Sequence, residues 1–228
     1  STLDPHSFPT RRSSDLEIAP VLCGSALKCI GINTFLEDIM ECFPCPKECR
    51  EIEAINTGNN EPINIKMDEN KPFSAFVFKT VADPFVGKLS IFKVMTGKIK
   101  SDSVVYNVNK KKQEKFSNLY FIRGKDEISA KEIVAGDIGA VPKLQYTSTG
   151  DTLSENKYAV MYEKIDFPEP VISMAIVPKS KGDEDKISSG LYKLTEEDPT
   201  FTISRDEENA DTIISGVGET HLDVIVNK

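Results

Sequence analysis

From Ala19 onward, apolar and polar positions follow periods that change from block to block along the chain. Ala19–Cys23 is a short apolar run ending at Gly24 and reads as a strand. Ile32, Phe35, Leu36, Ile39, Met40 and Phe43 then fall three and four residues apart, one continuous face of a helix. Pro44 and Pro46 end that helix, because proline has no backbone N–H to donate. Residues 47–70 are polar, with Asn-Thr-Gly-Asn-Asn at 56–60. They read as a linker that holds a domain boundary.

The period then shortens to two. Phe73–Val81, Leu89–Met95, Val104–Val108 and Phe116–Ile122 are runs rich in Val, Ile, Phe and Tyr. Turn signals at Asp83-Pro84, Gly97, Asn109 and Gly124 separate them. Ala135-Gly-Asp-Ile-Gly139 and Thr149-Gly-Asp-Thr152 predict two more tight turns between strands. Strands at this spacing with no helical pattern between them predict a closed or nearly closed antiparallel barrel.

After Pro168 and Pro170 the pattern becomes mixed. Val171–Val177 is a strand, and Asp183 is placed to cap a helix that begins with Glu184 and Asp185. Ile187, Leu191 and Leu194 form its stripe, and Asp198-Pro199 ends it. Phe201–Ser204 and Asp211–Ser215 predict a hairpin pair. Gly216 and Gly218 lead to a last helix with Leu222, Ile225 and Val226 on one face. The order β-α-β-β-α fits a split βαβ, ferredoxin-like domain without its final strand. Residues 1–16 carry no periodicity and are rich in Ser, Pro and charge; they read as disordered or as a non-native extension.

Charge alters this picture in one place. The net charge of −8 conceals a basic middle: residues 71–155 hold 14 basic and 9 acidic side chains, between two acidic flanks. A basic module is compatible with a face that meets a polyanion such as RNA, but on charge alone a solvated, Lys-rich surface is the favoured reading. No run approaches the ~18 apolar residues of a membrane span, and five cysteines form no regular framework, which points to a reducing compartment.

Candidate chemistry is sparse. Cys42 and Cys45 form one C-x-x-C pair with Pro44 inside it, and no second pair stands at zinc spacing, so unpaired structural thiols are the default. His221 lies between Glu219 and Asp223; a polar face at a helix start accounts for it better than a metal or acid–base site. No nucleophile–base arrangement stands out. No G-x-x-x-x-G-K-[ST] loop occurs, and no Asp-x-x-Gly, so nothing in these residues cradles the phosphates of a nucleotide or places Mg²⁺.

Longer strings are more specific. Pro20-Val-Leu-Cys-Gly-Ser-Ala-Leu-Lys28 resembles the end of a translational GTPase nucleotide domain. Asp83-Pro-Phe-Val-Gly-Lys-Leu89, Ala135-Gly-Asp-Ile138 and Thr149-Gly-Asp-Thr-Leu153 resemble the second, barrel domain of elongation factor G. Pro168–Ser173, Leu194–Thr200 and Ile213–Leu222 resemble its third domain, with Thr220 where that family more often has Leu. Arg123-Gly-Lys125 and Gly139–Leu144 are closer to the elongation-factor-G-like paralogue than to the housekeeping factor.

The resemblance implies a mixed β and α+β chain. Its parts would be an extension at 1–16, the tail of an α/β GTP-binding domain at 17–50 and a linker at 51–70. A translation-factor β-barrel at 71–155 and a truncated ferredoxin-like domain at 156–228 would follow. It further implies that backbone groups of Ser25, Ala26 and Leu27 sit against a guanine base. Lys88 and its neighbours would rest on small-subunit ribosomal RNA. The parent would be a cytoplasmic translocation factor using GTP and Mg²⁺ to move tRNA and mRNA, with no membrane or DNA partner. This stretch alone would bind no cofactor and hydrolyse nothing. Ribosomal protection proteins and release factor 3 relatives share this architecture. A free-standing, non-enzymatic RNA-binding module is the alternative of another class.

Overall fold

Alternation of apolar and polar residues requires a partner strand to take effect, and the computed structural model shows where partners are found. It describes residues 21–43, 45–46, 48, 51–83, 87–156, 158, 160–178, 182, 184–206 and 211–228. The chain divides into two compact units, Ser1–Ile52 and Glu53–Lys228.

In the first unit, α1 (Ile32–Cys42) is the helix expected from the apolar spacing, and Phe43 leaves it with extended backbone. The apolar face is largely uncovered: Phe35 and Leu36 are about half exposed and Met40 is 84% exposed. The expected strand at Ala19–Cys23 is not found in its described part, since residues 21–24 join no ladder. A strand without a neighbour has no bonds to hold it. Among the described residues, the chain there has an isolated bridge between Ser25 and Ile30.

Residues 51–70, expected to be a linker, carry β1 (Ile52–Asn56) and β2 (Glu61–Ile65). The Asn-Thr-Gly-Asn-Asn stretch is the turn between them, with Asn60 at φ 57°. A polar turn inside a hairpin and a polar linker have the same composition; only the pairing distinguishes them. β1 also pairs with β13 (Val160–Tyr162), a strand more than 100 residues away in sequence.

The barrel domain is built on two ten-residue strands, β3 (Ser74–Asp83) and β4 (Gly87–Thr96). Around them lie β5 (Lys98–Lys100), β6 (Val104–Asn107), β7 (Lys112–Lys115), β8 (Leu119–Arg123) and β9 (Asp126–Ala130). β10 (Glu132–Val134), β11 (Ile138–Pro142) and β12 (Thr152–Ser154) complete it. The main ladder runs β7-β6-β12-β3-β4-β11-β8-β9, and β10 pairs separately with β5.

Residues from both halves of the ladder share one core. Val105 on β6, Phe92 and Val94 on β4, Leu119 on β8 and Val141 on β11 pack in a single cluster. The sheet therefore curls around its interior, while its end strands β7 and β9 do not pair with each other. The expected barrel forms as an open one. Phe116, expected within a strand, lies between β7 and β8, fully buried against Phe73 and Phe92. Gly97, at φ 70°, turns the chain from β4 into β5; a Cβ there would stand 2.6 Å from the Lys71 carbonyl oxygen, so no other residue fits.

A chain of hydroxyls ties β13 to this domain. Tyr162 Oη and Ser74 Oγ are 2.6 Å apart, Ser74 Oγ and Thr96 Oγ1 are 2.6 Å apart, and Thr96 donates to the Pro72 carbonyl at 2.7 Å. Because the last acceptor is a carbonyl, the chain is directional: Tyr162 donates to Ser74 and Ser74 to Thr96. Burial pushes the Tyr162 phenol far above its ordinary range, which keeps it a donor.

The remaining elements are β14 (Ile172–Ile176), α2 (Glu184–Glu197), β15 (Thr202–Arg205), β16 (Thr212–Gly216) and α3 (Glu219–Asn227). Sheet order is β14-β16-β15, all antiparallel, with β16 inserted between the two strands that α2 connects. This is the split βαβ arrangement expected from the element order. Asp183, expected as the α2 cap, lies outside the described residues. Leu191, Phe201, Ile214, Leu222 and Ile225 form the core between helices and sheet. α2 lies against β3 of the barrel as well as β15.

Candidate functional site

The residues 25–27 occupy a tight turn. Ser25 and Ile30 exchange backbone hydrogen bonds of 3.0 and 3.1 Å, and the Cys29 N–H donates to the Ala26 carbonyl at 3.2 Å. Ser25 Oγ accepts the Lys28 N–H at 3.4 Å. Cys29 takes a left-handed φ of 53° to close the turn. Gly24 passes so close to the Ile30 carbonyl that a Cβ would meet its oxygen at 2.7 Å. The hydroxyl, the bridge and the glycine together fix the loop. Ala26 is exposed and Leu27 is 97% exposed, so the tip of the turn stands in solvent.

Lys88 belongs to the other unit, on β4. Its ammonium donates to Glu196 Oε1 on α2 at 3.3 Å, and its side chain is only 17% exposed. The sequence presents Lys88 as a surface cation; tertiary packing gives it a carboxylate partner 108 residues away. No local signal marks Glu196 for this role, because the pairing depends on how α2 seats against the barrel.

Near this contact a shallow cleft is lined by Lys79, Leu194, Asp198, His221, Ile225 and Lys228. His221 is held from both sides. The Val217 N–H donates to its Nδ1 at 3.2 Å, which leaves the proton on Nε2, and Nε2 donates to Asp198 Oδ2 at 2.8 Å. Asp198 Oδ1 also accepts from the Thr200 amide at 2.9 Å and the Thr200 hydroxyl at 2.6 Å. Burial works to raise the Asp198 pKa, but the Thr200 bonds and then His221 outweigh it and hold the carboxyl below its ordinary range.

His221 therefore staples α3 to the end of α2. Gly216 makes the approach possible, since a Cβ there would lie 2.7 Å from His221 Nδ1 and 2.8 Å from Leu222 Cδ2. The sequence places His221 on a polar face; its carboxylate partner in the fold is Asp198, not the adjacent Glu219 or Asp223. Cys42 is buried and Cys45 exposed, and among the described residues no three His, Cys, Asp or Glu side chains gather as a metal would require. No helix among the described residues is long and apolar enough to cross a membrane.

These geometries describe a hydrogen-bonded turn in one unit and, in the other, a β-domain and an α/β-domain whose helices are joined by His221 and Asp198. A crystal structure of a protein from Thermus thermophilus is similar over 86% of this chain, with 29% identity and a TM-score of 0.65. The chain spans 27% of that protein's length. Residues 72–156 match the family model of elongation factor G domain 2, and residues 167–228 match that of elongation factor G, domain III. These two successive domain models, together covering well over half of the chain, place it in the elongation factor G family.

Proposed function

We propose that this chain is part of a translocation factor that couples GTP binding and hydrolysis to movement of tRNA and mRNA on the ribosome. The observation that carries the reading is the succession of elongation factor G domains 2 and III, downstream of the 25–30 turn. The turn suits guanine recognition by main chain: Ala26 and Leu27 are exposed at its tip, and the Ser25–Ile30 bridge holds the loop beneath them. The phosphates and Mg²⁺ would be held by residues outside this stretch, which contains no phosphate-cradling loop. The site of action is cytoplasmic. The barrel, which carries the basic excess, meets small-subunit ribosomal RNA; Lys88 contributes only when its pair with Glu196 opens.

The test is GTP-dependent displacement of a fluorescent mRNA by the whole protein on pre-translocation ribosomes. Single-step movement that Ser25→Asp slows by raising the KM for GTP supports the reading. Peptide release or drug displacement without mRNA movement overturns it, in favour of a release factor 3 or ribosomal protection role.

A further inference from the structure

The barrel holds a second surface whose charge is sorted by depth. Glu114 on β7 is 5% exposed. Its carboxylate accepts the amides of Gln145 at 3.2 Å, Tyr146 at 2.6 Å and Thr147 at 2.9 Å, and the Thr147 hydroxyl at 3.0 Å. Asp151, 3% exposed, accepts from the Ser148 amide and from Asn107 Nδ2, both at 2.9 Å. Asn107 Oδ1 in turn accepts the Lys110 amide at 2.9 Å, and Asn109 Oδ1 the Thr152 amide at 2.8 Å. The only two carboxylates of segments 108–114 and 143–151 thus face inward and are fully engaged.

What faces outward is basic. Lys110, Lys111 and Lys112 follow one another at the turn between β6 and β7, with Lys111 at φ 56°. All three are exposed, and none is ion-paired among the described residues. Lys143, at φ 61°, is exposed on the adjoining segment. Lys112 Nζ stands 5.8 Å from the centre of the Tyr146 ring, and Tyr146 is 47% exposed. Four other lysines of the barrel are differently placed: Lys98 and Lys100 share Glu132, Lys115 faces Asp102, and Lys88 is bound to Glu196.

We propose that Lys110, Lys111, Lys112 and Tyr146 form a contact surface for an RNA strand, with the lysines on phosphates and the tyrosine ring against a base. The proposal rests on the ribosomal reading above and assigns that reading's RNA contact to this face rather than to Lys88. Three consecutive exposed cations, the last of them 5.8 Å from the centre of a half-exposed ring, match a phosphate backbone with a stacking base. The backbone beneath them is already pinned by Glu114, Asp151, Asn107 and Asn109, so binding has few torsions left to order.

The experiment measures binding of the full chain to purified ribosomes and to a 12-nucleotide oligouridylate across a salt series. Lys110→Gln/Lys111→Gln/Lys112→Gln flattens the slope of log K against log salt by about 2 and weakens binding at least tenfold near 0.1 M salt. Tyr146→Leu weakens binding roughly tenfold at every salt with the slope unchanged, and Tyr146→Phe restores it. Lys98→Gln, at a barrel lysine that already faces Glu132, leaves both curves in place. Circular dichroism melts that coincide with the unsubstituted chain exclude unfolding as the cause. Salt-dependent ribosome binding that the triple variant leaves unchanged overturns this face but not the ribosomal reading. Absence of salt-dependent binding by the unsubstituted chain overturns that reading and the proposal with it. Binding of polyglutamate as strong as oligouridylate, with Tyr146→Leu silent, assigns the face to an acidic protein segment and overturns the RNA contact.

Discussion

The barrel and the three-stranded domain after it solve the same problem, covering a sheet, with different means. In the barrel the sheet covers itself. Ala75, Val77, Phe92, Val94, Phe116, Leu119 and Leu153 are all fully buried, and the polar groups that must accompany them inward are saturated, as at Glu114 and Asp151. In the three-stranded domain two helices do the covering. Its core is five residues, and its polar fastener, Asp198 to His221, sits partly in solvent. A self-covering sheet gains rigidity from its own curvature, whereas a sheet under helices depends on how those helices are held. The lesson is that surface groups on the barrel are well placed to present charge, and groups at the α2 and α3 ends are well placed to let elements move.

The strongest way to break this comparison is in the barrel core. Phe116→Ala removes a fully buried ring that touches Phe73 and Phe92, and should cost about 3–5 kcal/mol. Urea unfolding should show the barrel transition moving to lower denaturant while the signal of the three-stranded domain shifts less. A single common shift would mean that the two regions unfold as one.

A smaller effect separates them by pH. Asp198 has a folded pKa below its unfolded value, so the stability it adds is fully present above the unfolded pKa of about 3.9. It is lost as pH falls through the lower folded value. Asp198→Asn should cost about 1 kcal/mol near neutrality, and the gap from the unsubstituted chain should narrow as pH falls below the unfolded carboxylate value and on through the lower folded one. Thermal melts from pH 7 to 2 check this; a gap independent of pH would show that Asp198 acts through packing alone.

The smallest effect is at the contact between the regions. Lys88 to Glu196 is partly exposed, so Lys88→Gln should change stability by only about 0.2–1 kcal/mol, and by less at high salt. A double-mutant cycle with Glu196→Gln measures the coupling; a coupling above about 2 kcal/mol would make this pair a principal fastener rather than a loose one.

Much of this was legible beforehand because it depends on local periodicity and local turn chemistry. The apolar spacing of α1, the strands around β3 and β4, and the glycines at 136 and 150 that take φ of 97° and 90° could be read directly. The short strands were harder. β7 reads Lys-Gln-Glu-Lys, and its membership of the sheet follows from pairing with β6, not from apolar alternation. Residues 52–65 are hairpin rather than linker for the same reason: β13 supplies the partner. The triple lysine at 110–112 was visible as composition, but whether those cations were engaged depended on which acids lay near and which way they faced.

By itself, then, the sequence determined α1, the long strands around β3 and β4, the split βαβ pattern, the basic excess of the middle domain and the motifs that carry the family. Only the tertiary structure decided how charge is distributed over those elements. It turned Glu114 and Asp151 inward, joined Lys88 to Glu196 and His221 to Asp198, and left Lys110, Lys111 and Lys112 facing water. The physical reason is range: periodicity and turn preference act over a few residues, whereas an ion pair or a buried carboxylate is settled by whichever distant segment the fold brings within about 3 Å.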